Sequence, residues 1–254
     1  MDVHPLTSST PRTTRKGQQG TAHTTADVSL RGAAAVAGLG LLVMAVLAFA
    51  SFAVFGNLVA TGDAAKTARN IVDHELLFRA TICGFLIVAV LDVVVAWALY
   101  VLLRPAGRSI ALLAAWFRVV YAALFAAALS NLFVAARLPT DADSLESFGA
   151  GRLNAQVLMY VNAFDDGYHA ALAIFGLHLL VLGYLVFKSG YIPRVLGILV
   201  MIASFGYLID GFGGSLSAGY NANLIQFTFI GEVLLMVWLL WKGVRLKNHP
   251  QREI

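Results

Sequence analysis

The sequence predicts an all-α integral membrane bundle of six transmembrane helices, with both termini cytoplasmic and short interfacial helices on the outer face. Three observations carry that expectation. Of 254 residues, 59% are hydrophobic and only 13% charged, where a soluble domain carries about a quarter; mean hydropathy is +0.77. Six apolar runs each supply the ~20 helical residues that cross a bilayer. The basic residues between those runs alternate in abundance from one connection to the next. Composition therefore excludes a disordered chain, a nucleic-acid binder and an ordinary soluble enzyme, and makes the lipid bilayer the expected partner.

The chain opens on a Thr- and Ser-rich stretch, residues 1–30, without apolar periodicity. It is expected to be a disordered cytoplasmic tail. The apolar run after Arg31 is too long for the core of a signal peptide and is read as a first, uncleaved span. The spans fall at 33–58, 79–103, 109–135, 167–187, 193–212 and 222–242. Together they form one transmembrane domain over 31–246, followed by a cytoplasmic tail at 247–254. They are helices because hydrocarbon offers backbone groups no hydrogen-bond partners. The lone Cys83 lies within a run, so no internal disulfide can form.

Connecting charges set the orientation. One side gathers Arg12, Arg15, Lys16, Arg31, Arg104, Arg108, Lys188, Arg194, Lys242, Arg245, Lys247 and Arg252. The other has Lys66, Arg69, Arg137 and Arg152, diluted by Asp63, Asp73, Glu75, Asp141, Asp143 and Glu146. The positive-inside rule places both termini in the cytoplasm. The inner connections are short turns with prolines at helix starts. The outer ones are longer. After Gly62, Asp63 is placed to cap a short helix. Leu153, Val157, Tyr160, Val161 and Phe164 recur at helical spacing, the mark of a short amphipathic helix entering the fourth span.

Ionisable residues inside spans are rare, since each charge costs ~2.5–3.5 kcal/mol at the helix centre on insertion scales. With a rise of ~1.5 Å per residue, Asp92, Arg118, His178 and Glu232 fall at one depth near the midplane, on four different spans. Asp210 and Arg79 fall nearer the outer ends. Ala111, Ala114, Ala115 and Ala122 share a helix face with Arg118, which turns that face toward a close-packed interior. Asn221, Thr228 and Glu232 form a stripe on the sixth span; Ala203, Gly206 and Asp210 form one on the fifth. The candidate site is therefore a polar cluster of Asp92, Arg118, His178, Asp210 and Glu232. Arg118 pairs with Asp92 or Glu232, leaving one carboxylate for His178 or for a shared proton. A buried Arg–carboxylate pair can also serve only to fix helix register, and that reading stays open.

A metal site is the sharper alternative. Asp165 and His169 share a helix face and His74 sits at the same outer level, but zinc wants three or four such ligands, and charges at a helix mouth are usually solvated. No cofactor motif is present. Gly211-Phe-Gly-Gly214 lacks the Lys-Ser/Thr of a phosphate loop and is expected as a flexible turn. Ser130, Ser204 and Ser215 have no base identifiable beside them.

Several blocks form a recognisable set: Phe175-Gly-Leu-His178-Leu-Leu, Gly183-Tyr-Leu-Val, Ser189-Gly-Tyr-Ile-Pro-Arg194-Val-Leu-Gly and Gly206-Tyr-Leu-Ile-Asp210. Gly62-Asp63, Asn70-Ile71, Leu102-Leu-Arg-Pro105, Ala111-Leu-Leu-Ala-Ala-Trp-Phe-Arg118, Gly231-Glu232, Trp238-Leu-Leu and Lys242-Gly-Val-Arg245 extend it. These blocks resemble the bacterial multi-pass membrane domain called domain-of-unknown-function family 4386, over nearly the whole chain except the tails. The resemblance implies a protein of the bacterial cell membrane and assigns no activity. Its matching positions include Arg118, His178, Asp210 and Glu232. The functional expectation is a membrane protein that binds a small molecule, a lipid headgroup or a proton in a polar intramembrane cavity. An intramembrane lipid hydrolase, metal-dependent or not, and a transporter of a small solute or ion are the alternatives.

Overall fold

The structure, a computed structural model, describes residues 29–140, 149–216, 224 and 229–245. Among them every regular element is helical: α1 Leu30–Leu58, α2 Ala64–Asp73, α3 Glu75–Leu103, α4 Arg108–Arg137, α5 Ala150–Ser189, α6 Arg194–Leu216 and α7 Ile230–Trp241. Five of these, α1, α3, α4, α5 and α6, are long and apolar enough to cross a membrane. The described part of the sixth run, α7, is 12 residues long and equally apolar. The Thr-rich tail, Asp141, Asp143, Glu146, Asn221, Thr228 and the chain beyond Arg245 lie outside the described residues.

The helices close into a ring. Contacts run from α1 to α3, α3 to α4, α4 to α5, α5 to α6, α6 to α7, and from α7 back to α1. Inward faces supply the core, with Phe78, Phe85, Phe125, Phe164 and Leu132 each under 2% exposed. Outward faces carry large apolar side chains such as Phe49, Trp97, Trp116, Ile198, Phe205 and Trp241. An outer surface this apolar matches a hydrocarbon solvent rather than water. The ends of the ring helices that carry Arg31, Arg104, Arg108, Lys188, Arg194 and Lys242 meet at one end of the ring. There the Tyr191 hydroxyl, in the α5–α6 turn, donates to the Leu102 carbonyl of α3 at 2.6 Å. Gly190 adopts φ 75° at the end of α5, a left-handed cap that glycine enters without a Cβ penalty.

At the opposite end α2 clasps the end of α1. The last carbonyls of a helix lack internal partners, and α2 supplies them: Asn70 Nδ2 donates to the Leu58 carbonyl at 3.0 Å. The Thr67 hydroxyl both donates to the Ala60 carbonyl and accepts from its N–H. Asp63 caps α2 as expected, its Oδ1 accepting from the Lys66 N–H at 2.9 Å. Asp63→Ala is expected to cost ~1 kcal/mol, the usual value of a lost N-cap. A thermal melt of the detergent-solubilised variant that matches wild type would remove Asp63 from the clasp.

Two local expectations need correction. The amphipathic stripe after Ala150 is present, with Leu153, Val157, Val161 and Phe164 each at most 2% exposed, but it is no separate helix. It runs unbroken into the fourth span as the 40-residue α5. No proline interrupts it, and the charges at Asp165 and Asp166 sit on exposed positions where a helix tolerates them. At ~1.5 Å per residue, 40 residues reach ~60 Å, about twice the ~30 Å hydrocarbon layer. The glycine-rich segment Gly211–Gly214 is also helical, as part of α6. Gly211 is fixed there by close approach: a methyl group on it would lie 2.6 Å from the Ala173 backbone nitrogen of α5.

Candidate functional site

Asp92, Arg118 and His178 stand 11, 10 and 11 residues from the basic ends of their helices, at Leu103, Arg108 and Ser189. At ~1.5 Å per residue these separations bring them to one level, about 15 Å in. The structure brings all three together. Arg118 Nη2 lies 2.7 Å from Asp92 Oδ1, with both side chains at most 3% exposed. The two groups are in ion-pair contact, yet neither Asp92 oxygen receives an aligned N–H. Arg118 Nη1 lies 3.3 Å from His178 Nε2. Its Nη2 also points to the Met44 sulfur of α1 at 3.9 Å, and its guanidinium sits 5.4 Å from the centre of the Phe175 ring.

The hydrogen bonds assign the histidine. His178 Nδ1 is 2.8 Å from the Ala114 carbonyl, which can only accept, so Nδ1 carries the hydrogen. Nε2 then offers its lone pair to Arg118, whose guanidinium can only donate. His178 is thus a neutral acceptor that holds the arginine and pairs with no carboxylate among the described residues. The small-residue face of α4 does what its spacing implied: Ala111, Ala114 and Ala122 are at most 4% exposed, and the absence of bulk at Ala114 lets the imidazole reach the backbone.

Glu232, nine residues from the end of α7 at Trp241, stands at the same level. Its carboxylate neighbours the Tyr207 hydroxyl of α6 and lies within the fields of Arg118 and Asp92. The residue as a whole is partly exposed, yet its Oε1 is buried without a hydrogen-bond partner among the described residues, as is Nε of Arg118. Each of the six ring helices thus contributes one side chain to a central layer: Met44, Asp92, Arg118, His178, Tyr207 and Glu232. Asp210 is 3% exposed and stands one turn beyond Tyr207 on α6, away from the basic end.

The outer candidates are spread apart. His74 is an exposed junction residue between α2 and α3. His169 Nδ1 bonds the Asp165 backbone carbonyl at 2.9 Å and lies 3.7 Å from its carboxylate. No group of three His, Cys, Asp or Glu side chains positioned for a metal occurs among the described residues. Arg79 is paired with Glu75 along α3 at 2.7 Å.

Sequence reasoning missed Met44, Tyr207 and the aromatic packing that covers the layer. Phe175 lies between Tyr121, at 4.7 Å centroid distance, and Tyr207, at 5.1 Å. Farther from the basic end, Phe125, Phe164 and Tyr168 continue the packing. Only Tyr207 left a signal, as the tyrosine one turn before the intramembrane Asp210.

Comparison with known proteins fits this architecture. A family model described as domain of unknown function (DUF4386) matches residues 36–243, which takes in all six layer residues. An uncharacterised protein of Archaeoglobus fulgidus is 39% identical over 168 residues, covering 66% of this chain and 86% of the relative. That relative is archaeal, so the likeness is not confined to bacteria. No solved structure matches the chain.

Proposed function

Since the chain belongs to the DUF4386 family, whose description names no activity, we propose a function from the central layer itself: a six-pass cell-membrane protein whose layer is a binding site for a proton in the first place, or for a small polar molecule or lipid headgroup. In this reading both termini face the cytoplasm, following the twelve Lys and Arg residues of the basic side. The clasp helix α2 and the N-terminal part of α5 stand on the outer face, which accommodates the length of α5 beyond the hydrocarbon.

One observation carries the proposal. Glu232 Oε1 is buried without a hydrogen-bond partner among the described residues in a layer where Asp92 already occupies the guanidinium. One cation and two carboxylates leave one negative charge over, and an uncompensated charge inside a bilayer is expensive. A bound proton neutralises it within the packed geometry. Two carboxylates that share one site commonly titrate as a pair holding a single proton.

Infrared spectroscopy of the purified protein tests this. Wild type is expected to show the carbonyl band of a protonated carboxyl group at neutral pH, and Glu232→Gln, which keeps the shape, is expected to lose it. A wild-type spectrum without that band would defeat the proton reading. A lipid or small molecule copurifying with wild type and lost from Glu232→Gln, seen by native mass spectrometry, would replace the proton with that ligand.

A further inference from the structure

We propose that the outward furrow between α5 and α6 at the basic end holds one phospholipid of net negative charge, its headgroup on Lys188 and Arg194 and an acyl chain along Tyr184, Phe187 and Ile198. This site is separate from the central layer and does not depend on the reading of Glu232.

Charge selects the headgroup. Among the described residues no Asp or Glu stands at the basic end; the acidic side chains begin at the central layer. Lys188 and Arg194, in the last turn of α5 and the first of α6, are both exposed. The turn between them is pinned. The Ser189 hydroxyl donates to the Val186 carbonyl at 2.8 Å and accepts from the Ile192 N–H at 3.3 Å, and Tyr191 ties the turn to α3. The Arg194 guanidinium lies over the Phe187 ring, 5.7 Å from its centre, within cation–π range. A guanidinium stacked by its face leaves its N–H edge for an anion, and that fork matches a phosphate. Lys188, the next residue on α5, adds a second positive charge. The α3–α4 turn also carries two arginines, Arg104 and Arg108, but Arg104 is half-buried and already engaged within the chain.

The furrow supplies the apolar path that a free phosphate would not need. Antiparallel α5 and α6 meet backbone to backbone at Gly183 and Gly197, where a methyl group on Gly197 would lie 2.7 Å from the Gly183 carbonyl oxygen. Tyr184 follows Gly183 and Ile198 follows Gly197. On antiparallel neighbours the same step from the contact leads to the same side, since both helices are right-handed. Tyr184 and Ile198 are 45% and 43% exposed, and Phe187 and Val195 show 38% and 63%. Two apolar walls thus lead away from the paired cations over a floor without side chains. Basic side chains at this level attract anionic headgroups of the adjoining leaflet.

Native mass spectrometry of the full chain in detergent, titrated with phosphatidylglycerol or phosphatidylcholine, tests this. Wild type is expected to retain one phosphatidylglycerol in preference to phosphatidylcholine. The double variant Lys188→Gln with Arg194→Gln is expected to bind it about tenfold or more weakly, the scale of two basic side chains near a membrane surface. Arg108→Gln with Lys242→Gln removes as much charge from the same end and is expected to keep the lipid, as is Glu232→Gln. Equal retention of the two lipids by wild type, or equal loss in both double variants, would overturn the site. So would inorganic phosphate that competes as well as the lipid. Loss of the lipid from Glu232→Gln alone would place it in the central layer and overturn the furrow as its site.

Discussion

Arg118→Ala is expected to destabilise the detergent-solubilised protein by about 3–5 kcal/mol, the range found when one partner is removed from a buried ion pair. The size follows from what is left behind. Asp92 is fully buried, and Arg118 is its only ion-pair partner among the described residues. His178 Nε2 also loses its donor. The void adds a packing loss against Met44 and Phe175. The pair itself need not be stabilising, since replacing a buried ion pair by apolar residues of similar volume is often neutral or better. The double variant Arg118→Met with Asp92→Leu is therefore expected to recover most of the loss, a coupling that a double-mutant cycle reads directly. Thermal melts of the three variants check it. A single variant as stable as wild type, or a double no better than the single, would show that the charges do not hold the layer together.

The way the layer was legible explains what was not. Asp92, Arg118 and His178 could be placed by counting, because the ends of their helices are marked by Arg104, Arg108 and Lys188, and each side chain lies a similar number of residues in. Charge in hydrocarbon is costly enough that residues at one depth have to meet. The choice of partner for Arg118 was not legible. That choice depends on ring order, which places α4 between α3 and α5 and gives the arginine Asp92 and His178 as its neighbours. Met44 and Phe175 carry no charge, so nothing in their residue type distinguished them from lipid-facing positions. The length of α5 was hidden for another reason. Asp165, Asp166 and His169 look like a boundary between a surface helix and a span, yet they lie on the more exposed side while Val161, Phe164, Ala171 and Leu172 continue the buried stripe without a break.

Gly197→Ala is expected to destabilise the bundle by ~1–3 kcal/mol or more, the cost of overpacking where the neighbour cannot move. A methyl group on Gly197 would lie 2.6 Å from the backbone nitrogen and 2.9 Å from the Cα of Phe187, and 2.7 Å from the Gly183 carbonyl oxygen. All three atoms are backbone of α5, so no side-chain rotation makes room and the two helices must part. Gly183 is equally tight against the Gly197 carbonyl, at 2.7 Å. The two glycines thus set the spacing at which α6 can present Tyr207 and α5 can present His178 to one centre. Small residues at such crossings let helix backbones approach closely in lipid. Gly56→Ala, on α1, is the control: nothing lies within 4 Å of an added methyl group there, and alanine is the better helix former by ~1 kcal/mol. It is expected to melt at or above wild type. If the spacing of α5 and α6 also positions the layer, Gly197→Ala and Arg118→Ala will be less than additive, because the first already weakens what the second removes. Full additivity, measured by thermal melts of both singles and the double, would separate the glycine contact from the layer. A Gly197→Ala melt equal to that of Gly56→Ala would mean that α5 and α6 do not meet backbone to backbone.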